Sequence, residues 1–274
     1  MAADPDRFLV EVRNRYPNLL GALRDMAGKR GVPPLPEWPE WCWLPMAAAA
    51  SAATHPEDIA RLAAVSTWWL DRAVIEVDED LASRHIPAPD RDIRIDRERL
   101  LTGLPSWCPY VLVPEPPTAA PAGFWPCGFF VHTEWDAARG GAPELRILAD
   151  IDGTWDGLVA VPVHADQPTV RWSAQDAARL MATNAAAKLV PDAQGDLLTG
   201  AVELGELLAR LVWPLVAALV DPAGRAIGRD RPGEVLERVQ PERRGDVVVW
   251  PRRPRTSSWR MTAGPAPRPG LRSV

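Results

Sequence analysis

The spacing of apolar residues changes near residue 105, and this change limits the folds that the chain can adopt. Before it, apolar residues recur at helical spacing over residues 6–29, where Pro17 is expected to break the helix, and further helices are predicted over 46–53 and 54–77. After it come four runs rich in β-branched and aromatic residues, separated by Pro, Gly and Asp: residues 107–113, 127–136, 144–152 and 157–165. Such runs predict an antiparallel meander.

Two more helices and one more strand are expected after the meander. Ser173 to Asp176 resemble a capping box that opens a helix, a strongly apolar helix runs to Val220, and residues 246–250 form a short strand. We therefore predict an α+β fold with N-terminal helices, a central antiparallel sheet of four to five strands, two C-terminal helices packed on one face of it, and a basic tail. The expected domains are a single unit at 1–246, with a helical half at 1–104 and the sheet and helices at 105–246, followed by an Arg- and Pro-rich tail at 247–274.

The bulk sequence favours a cytoplasmic protein without a membrane partner or a cofactor. Acidic residues interrupt the N-terminus, so no secretory signal is expected. The longest apolar run, near residues 211–220, is well short of the ~20 residues that a membrane span needs. The chain has 3 cysteines and no C-x-x-C pair, which argues against a disulfide framework or a cysteine zinc site.

Tryptophan usage is unusual, with 13 Trp against 4 Phe and 2 Tyr. An indole combines a large apolar surface with one N–H donor, which suits a recognition groove as well as a core. Core packing is one interpretation. The other is that some rings stay open as a groove for an extended polypeptide; the candidate groove residues are Trp69, Trp107, Tyr110, Trp125 and Phe130.

A second candidate site lies in the predicted strand 127–136. Period-two geometry places His132, Glu134 and Asp136 on one face of this strand, and Asp152 follows the next strand. One histidine with several carboxylates on adjacent strands is typical of a Mg²⁺ or Mn²⁺ site for hydrolysis. The alternative is a solvated sheet face whose aspartates serve turns. Because neither a G-x-S-x-G motif nor a glycine-rich phosphate loop occurs, we favour a binding protein over an enzyme.

The C-terminal stretch 247–274 contains six arginines and no acidic residue, although the net charge of the whole chain is −5. Four of these arginines, Arg252, Arg253, Arg255 and Arg260, are interleaved with tryptophan. Guanidinium groups beside indoles are typical of a contact with RNA or another polyanion. A solvated terminus without a partner is the alternative.

Several segments resemble, in the same order, a family of anti-CRISPR proteins from mobile elements that act on type V-A systems. The matching segments are Leu44-Pro45-Met46, residues 68–80, Leu104-Pro-Ser-Trp-Cys-Pro-Tyr-Val111, Gly128-Phe-Phe130, residues 211–215 and Asp221-Pro222. The motif at 104–111 is the most specific of them. The resemblance implies recognition of the N-terminal peptide of the effector nuclease as it emerges from the ribosome, followed by loss of the effector mRNA during translation.

Three hypotheses follow. The first, implied by the resemblance, is a regulatory protein that binds a nascent polypeptide and lowers the corresponding mRNA, with the arginine tail on RNA or the ribosome. The second is a metal-dependent nuclease or other hydrolase that uses the His132 strand face. The third is a non-catalytic, defence-related interaction module.

Overall fold

A seven-stranded mixed sheet forms the centre of the molecule. The computed structural model describes residues 4–85, 93–114, 126–186, 211–221, 225–228, 234–245 and 247–263. The strands are β1 Ala73–Val77, β2 Tyr110–Leu112, β3 Gly128–Asp136, β4 Ala142–Asp150, β5 Leu158–His164, β6 Arg225–Gly228, β7 Glu242–Arg244, β8 Val247–Val249 and β9 Ser257–Ala263. The sheet has the order β5-β4-β3-β2-β1-β9-β6, while β7 and β8 form a separate hairpin. Strand β1 runs parallel to both neighbours, and the other pairs are antiparallel.

Helices precede, interrupt and follow the strands. They are α1 Asp6–Arg15, α2 Leu19–Gly28, α3 Met46–Ala50, α4 Ile59–Asp71, α5 Glu79–His85, α6 Arg97–Thr102 and α7 Val170–Ala186, and residues 211–220 are also helical. The predicted break at Pro17 separates α1 from α2. Within the described ranges, no helix has the length and apolar character needed to cross a bilayer.

Helices cover both faces of the sheet. One face packs against α1–α4 through Val74, Tyr110, Phe130 and Leu148. The opposite face packs against residues 211–220 and parts of α5, α6 and α7 through Ile75, Val111, Phe129 and Ile147. Two buried layers on one sheet explain why apolar residues fill consecutive positions of the central strands.

The α+β class is therefore confirmed, but the predicted sheet is wrong in two respects. It has seven strands instead of four to five, and their directions are mixed instead of antiparallel. The helix predicted over 54–77 ends at Asp71, because Arg72 turns into the left-handed region at φ 47° and β1 begins at once. Strand β1 was missed because its residues A-V-I-E-V are buried at every position but Glu76 and lack alternation.

The C-terminal stretch contributes directly to the sheet. Residues 257–263, which the sequence assigns to a basic tail, form β9 between β1 and β6, and Trp259 and Met261 on this strand are buried. The remainder of the predicted tail, 264–274, lies outside the described residues. Strand β9 was missed because arginine and proline dominate the composition around it.

A buried aspartate joins three segments that are distant in the sequence. One oxygen of Asp71 accepts hydrogen bonds from the Ser106 hydroxyl (3.0 Å) and the Trp107 backbone N–H (2.8 Å), and the other accepts from the Val239 N–H (2.8 Å). Burial raises the pKa of Asp71, and these hydrogen bonds oppose that rise. Asp71 therefore fixes the end of α4 to the motif at 104–111 and to residues 234–239.

We predict that Asp71→Ala destabilises the protein by on the order of 3 kcal/mol, because it leaves three buried donors without their acceptor. Asp71→Asn keeps one acceptor oxygen and should cost less. The measurement is the free energy of unfolding in urea. Asp25→Ala, whose side chain is 69% exposed, is the control. Equal stability of Asp71→Ala and the control would contradict the role given to Asp71.

Candidate functional site

Four of the five residues predicted to line a peptide groove lie in the interior. Tyr110 and Phe130 are fully buried, and their rings pack edge-to-face with centroids 4.7 Å apart. Trp69 and Trp107 are 7% and 6% exposed, and the Trp107 indole donates a hydrogen bond to the Val239 carbonyl (2.7 Å). Trp125 lies outside the described residues. The prediction of an open aromatic groove is therefore corrected for these four rings, which form the core between the sheet and α1–α4.

The candidate metal ligands share a strand face but do not converge. His132 Nε2 lies 3.3 Å from Glu134 Oε2, and both Glu134 oxygens accept from the Met46 backbone N–H at 2.9 Å. Asp136 lies at one end of β3, whereas Asp150, which precedes Asp152, pairs with Gly128 at the other end. A strand of this length separates the two ends by about 27 Å. In the described part of the chain, no three His, Cys, Asp or Glu side chains are arranged to hold a metal ion.

Instead, this strand face carries a buried polar row formed by Glu134, Glu144 and His164. The three residues lie side by side on β3, β4 and β5 and are at most 3% exposed. Burial raises the pKa of Glu144 to about 7; the Arg146 guanidinium, 2.5 Å away, opposes this rise and Glu134 adds to it. Burial also lowers the pKa of His164, although Asp176, 2.9 Å from its Nδ1, acts in the opposite direction.

The polar row joins strands and helices and does not face solvent. Glu134 caps the N-terminus of α3, and His164 contacts both Glu144 (3.8 Å) and Asp176 on α7. Glutamate and histidine in such a row have the chemistry of an acid–base pair, but their burial leaves a substrate no access to them. The row is therefore assigned to the fold.

The four predicted RNA-contact arginines divide between two regions. Arg252, Arg253 and Arg255 precede β9, near the beginning of β1, and Arg253 donates its backbone N–H to the Leu70 carbonyl (2.7 Å). Arg260 lies within β9 opposite Glu76 and faces a cleft lined by acidic residues. The arginines therefore do not form one continuous surface.

This acidic cleft is an open candidate site in the described part of the chain. Its volume is about 460 Å³, and its lining residues are Glu76, Val77, Asp78, Glu79, Asp80 and Arg260. Parallel strands β1 and β9 both lead into it, and the crevice beyond the carboxyl ends of parallel strands is a common ligand position in α/β sheets. One guanidinium does not balance the four carboxylates, so the cleft favours a cationic ligand.

The acidic cleft was missed at the level of sequence, although a signal was present. Residues 76–80 read E-V-D-E-D, and Glu76 is the one exposed position of β1. Assigning residues 54–77 to a helix placed this acidic run at a helix end. The cleft between residues 76–80 and Arg260 can be recognised only once β1 is known to pair with β9.

The comparisons with known proteins agree with the resemblance carried by the motifs. A family model described as AcrVA2-like, the anti-CRISPR type V subtype A2 family, matches residues 75–265. The chain belongs to this family. Its fold is similar to that in the crystal structure of AcrVA2, with a TM-score of 0.62 and 14% identity over 93% of this chain and 82% of that one. No curated protein matches the chain.

The AcrVA2-like match begins within β1 and includes β9, so it covers all the residues that line the acidic cleft. It also includes the motif at 104–111, whose polar groups bind buried aspartates: Ser106 and Trp107 bind Asp71, and the Tyr110 hydroxyl donates to Asp150 (2.7 Å). The most specific motif of the resemblance therefore carries a structural role in this chain.

We predict that the raised pKa of Glu144 makes stability depend on pH. Between the ordinary value of 4.5 and about 7, the folded protein binds more protons at this site than the unfolded chain, so its free energy of unfolding falls as pH rises. Glu144→Gln removes the titrating carboxyl group and therefore this decrease in the free energy of unfolding. As pH rises from 4.5 to 7, the free energy of unfolding of the variant should increase relative to that of the unsubstituted protein by on the order of 3 kcal/mol.

Urea unfolding from pH 4.5 to 8 measures this difference. His164 remains in both proteins, so its own titration largely cancels from the comparison. Glu57→Gln, at a side chain that is 64% exposed, is the matched control. Parallel pH profiles for Glu144→Gln and the unsubstituted protein would contradict the assignment.

Proposed function

We propose that this chain is an anti-CRISPR-like regulatory protein that binds a polypeptide as it emerges from the ribosome and promotes loss of the corresponding mRNA. The observation that carries the proposal is membership of the AcrVA2-like family over residues 75–265. The similarity of the fold to that of AcrVA2 supports the same role. In this proposal the chain acts in the cytoplasm by binding and needs no cofactor.

We assign polypeptide recognition to the acidic cleft instead of the buried aromatic residues. The cleft has a volume in the range of ordinary ligand sites and a net negative lining. Lysine or arginine side chains of a bound segment would pair with Glu76 and Asp80, and Val77 offers apolar contact. The expected ligand is therefore a short cationic segment of a polypeptide.

The hydrolase hypothesis has less support. It needs His132, Glu134, Asp136 and Asp152 around one ion, whereas the first two bind each other and Asp152 lies beyond the far end of β4. The hypothesis of an interaction module shares the binding step with our proposal. It differs because binding is not followed by loss of the mRNA. A measurement of mRNA can separate the two.

We expect the chain to lower a reporter mRNA only when the translated peptide is the target. The reporter carries the N-terminal codons of a type V-A effector nuclease, and its control carries the same nucleotides shifted by one reading frame. Reverse-transcription PCR should show several-fold less of the in-frame mRNA and no change in the shifted one. Equal loss of both mRNAs, or loss of neither, would overturn the proposal.

The acidic cleft is tested in the same assay by charge reversal. Glu76→Lys combined with Asp80→Lys should abolish the loss of the in-frame mRNA, because the cleft then repels a cationic segment. Glu40→Lys combined with Glu57→Lys makes the same charge change at side chains that are 95% and 64% exposed and should retain activity. Thermal unfolding shows whether both variants are folded. An active, folded cleft variant would remove the cleft from the proposal.

A further inference from the structure

The corner between α4 and β1 carries a concentration of arginines that the acidic cleft does not use. Arg24 and Arg252 lie on the ring of Trp69, with their guanidinium carbons 5.9 and 5.2 Å from its centroid. Arg72 follows α4, and Arg13 stands on α1 close enough to influence it. We call Arg13, Arg24, Arg72 and Arg252, arranged around Trp69, the basic surface.

Positive charge exceeds negative charge at the basic surface. The pKa of Arg72 is lowered, first by burial and then by Arg252 and Arg13, and Asp6 acts in the opposite direction. Two carboxylates contact these arginines, Asp6 at 3.8 Å from Arg72 and Asp25 at 3.9 Å from Arg24. Arg253 and Arg255 follow Arg252 and add further charge nearby. An anion with several charges would relieve this repulsion.

The arginines are held in place by the fold. The Arg253 N–H donates to the Leu70 carbonyl (2.7 Å), the Arg72 guanidinium donates to the Pro254 carbonyl (3.1 Å), and the Ser257 N–H donates to the Arg72 carbonyl (2.9 Å). The indole of Trp69 supports Arg24 and Arg252 through cation–π contacts. A surface fixed in this way loses less conformational entropy on binding than a flexible tail would.

From this geometry we infer that the basic surface binds the backbone and bases of single-stranded RNA. Guanidinium groups match phosphate oxygens in geometry and stack on exposed bases, which favours RNA over a simple anion. The inference rests on the proposed function, because that function brings the chain to a translated messenger. It also changes the predicted set of RNA contacts: Arg13 and Arg24 join Arg252, Arg72 adds positive charge nearby, and Arg260 belongs to the acidic cleft.

The two proposed binding surfaces lie at opposite ends of β1. The basic surface surrounds the beginning of β1 and β9, and the acidic cleft lies where β1 ends, beside Arg260 in the middle of β9. Five residues of β1 separate the ends by about 16 Å. A polypeptide and an RNA strand can therefore be held on one protein without competing for the same charges.

The test is fluorescence anisotropy of the purified full chain with a labelled single-stranded RNA of mixed sequence, at increasing salt. Phosphate contacts from Arg13, Arg24 and Arg252 predict a decrease of log affinity with log salt of slope about −2. Arg24→Glu combined with Arg252→Glu should weaken binding at least tenfold and reduce that slope by about 1.4. Arg97→Glu combined with Arg179→Glu, on helices α6 and α7 of the opposite layer, makes the same charge change and should leave affinity unchanged.

A milder pair, Arg24→Gln with Arg252→Gln, keeps the test decisive if the glutamate pair does not fold, and it should weaken binding in the same direction. Absence of RNA binding, equal weakening in the control pair, or binding of heparin without RNA would overturn the inference. The result is separable from the proposed function because no polypeptide is present in the anisotropy assay. Target-dependent mRNA loss by a chain that shows no RNA binding in the anisotropy assay would overturn this inference alone.

Discussion

The parallel pairing of β1 with β9 is the constraint on which the rest of the structure depends. It joins residues 73–77 to residues 257–263, so the chain cannot complete its sheet until nearly all of it is present. Because β1 has parallel neighbours on both sides, its side chains need cover on both faces. Helices α1–α4 provide that cover on one face and residues 211–220 on the other. The basic and acidic surfaces are consequences of the same pairing, since the first lies before both strands and the second lies where β1 ends beside β9.

How far the sequence could predict this fold depended on whether the relevant contacts were local. The meander of β3, β4 and β5 was predicted because its hairpins connect neighbours in the chain and their turns carry Gly and Asp. Strands β1 and β9 were not predicted, because each acquires its partner from the opposite end of the chain. Local propensity placed β1 in a helix and β9 in a tail. A strand that is defined by distant pairing leaves little trace in its own residues.

The candidate site shows the same limit. The family could be identified from short motifs, since their order along the chain survives even where each match is weak. The burial of the predicted groove residues could not be anticipated, because the aromatic groove was argued from the kind of side chain and not from its exposure. Trp107 and Tyr110 sit in the most specific motif, yet both are buried and hydrogen-bonded to the fold. A motif shared within a family can reflect a common core as readily as a common ligand.

Most of the described tryptophans are buried inside the protein. Three of the buried indole N–H groups donate hydrogen bonds to other segments: Trp68 to the Ala73 carbonyl, Trp107 to the Val239 carbonyl and Trp155 to the Asp58 carboxylate. Others, such as Trp43 and Trp213, contribute large buried apolar area. Because these indoles are used inside the molecule, the described surface around β1 and β9 is distinguished mainly by its charge, with acidic residues at the end of β1 and arginines before both strands.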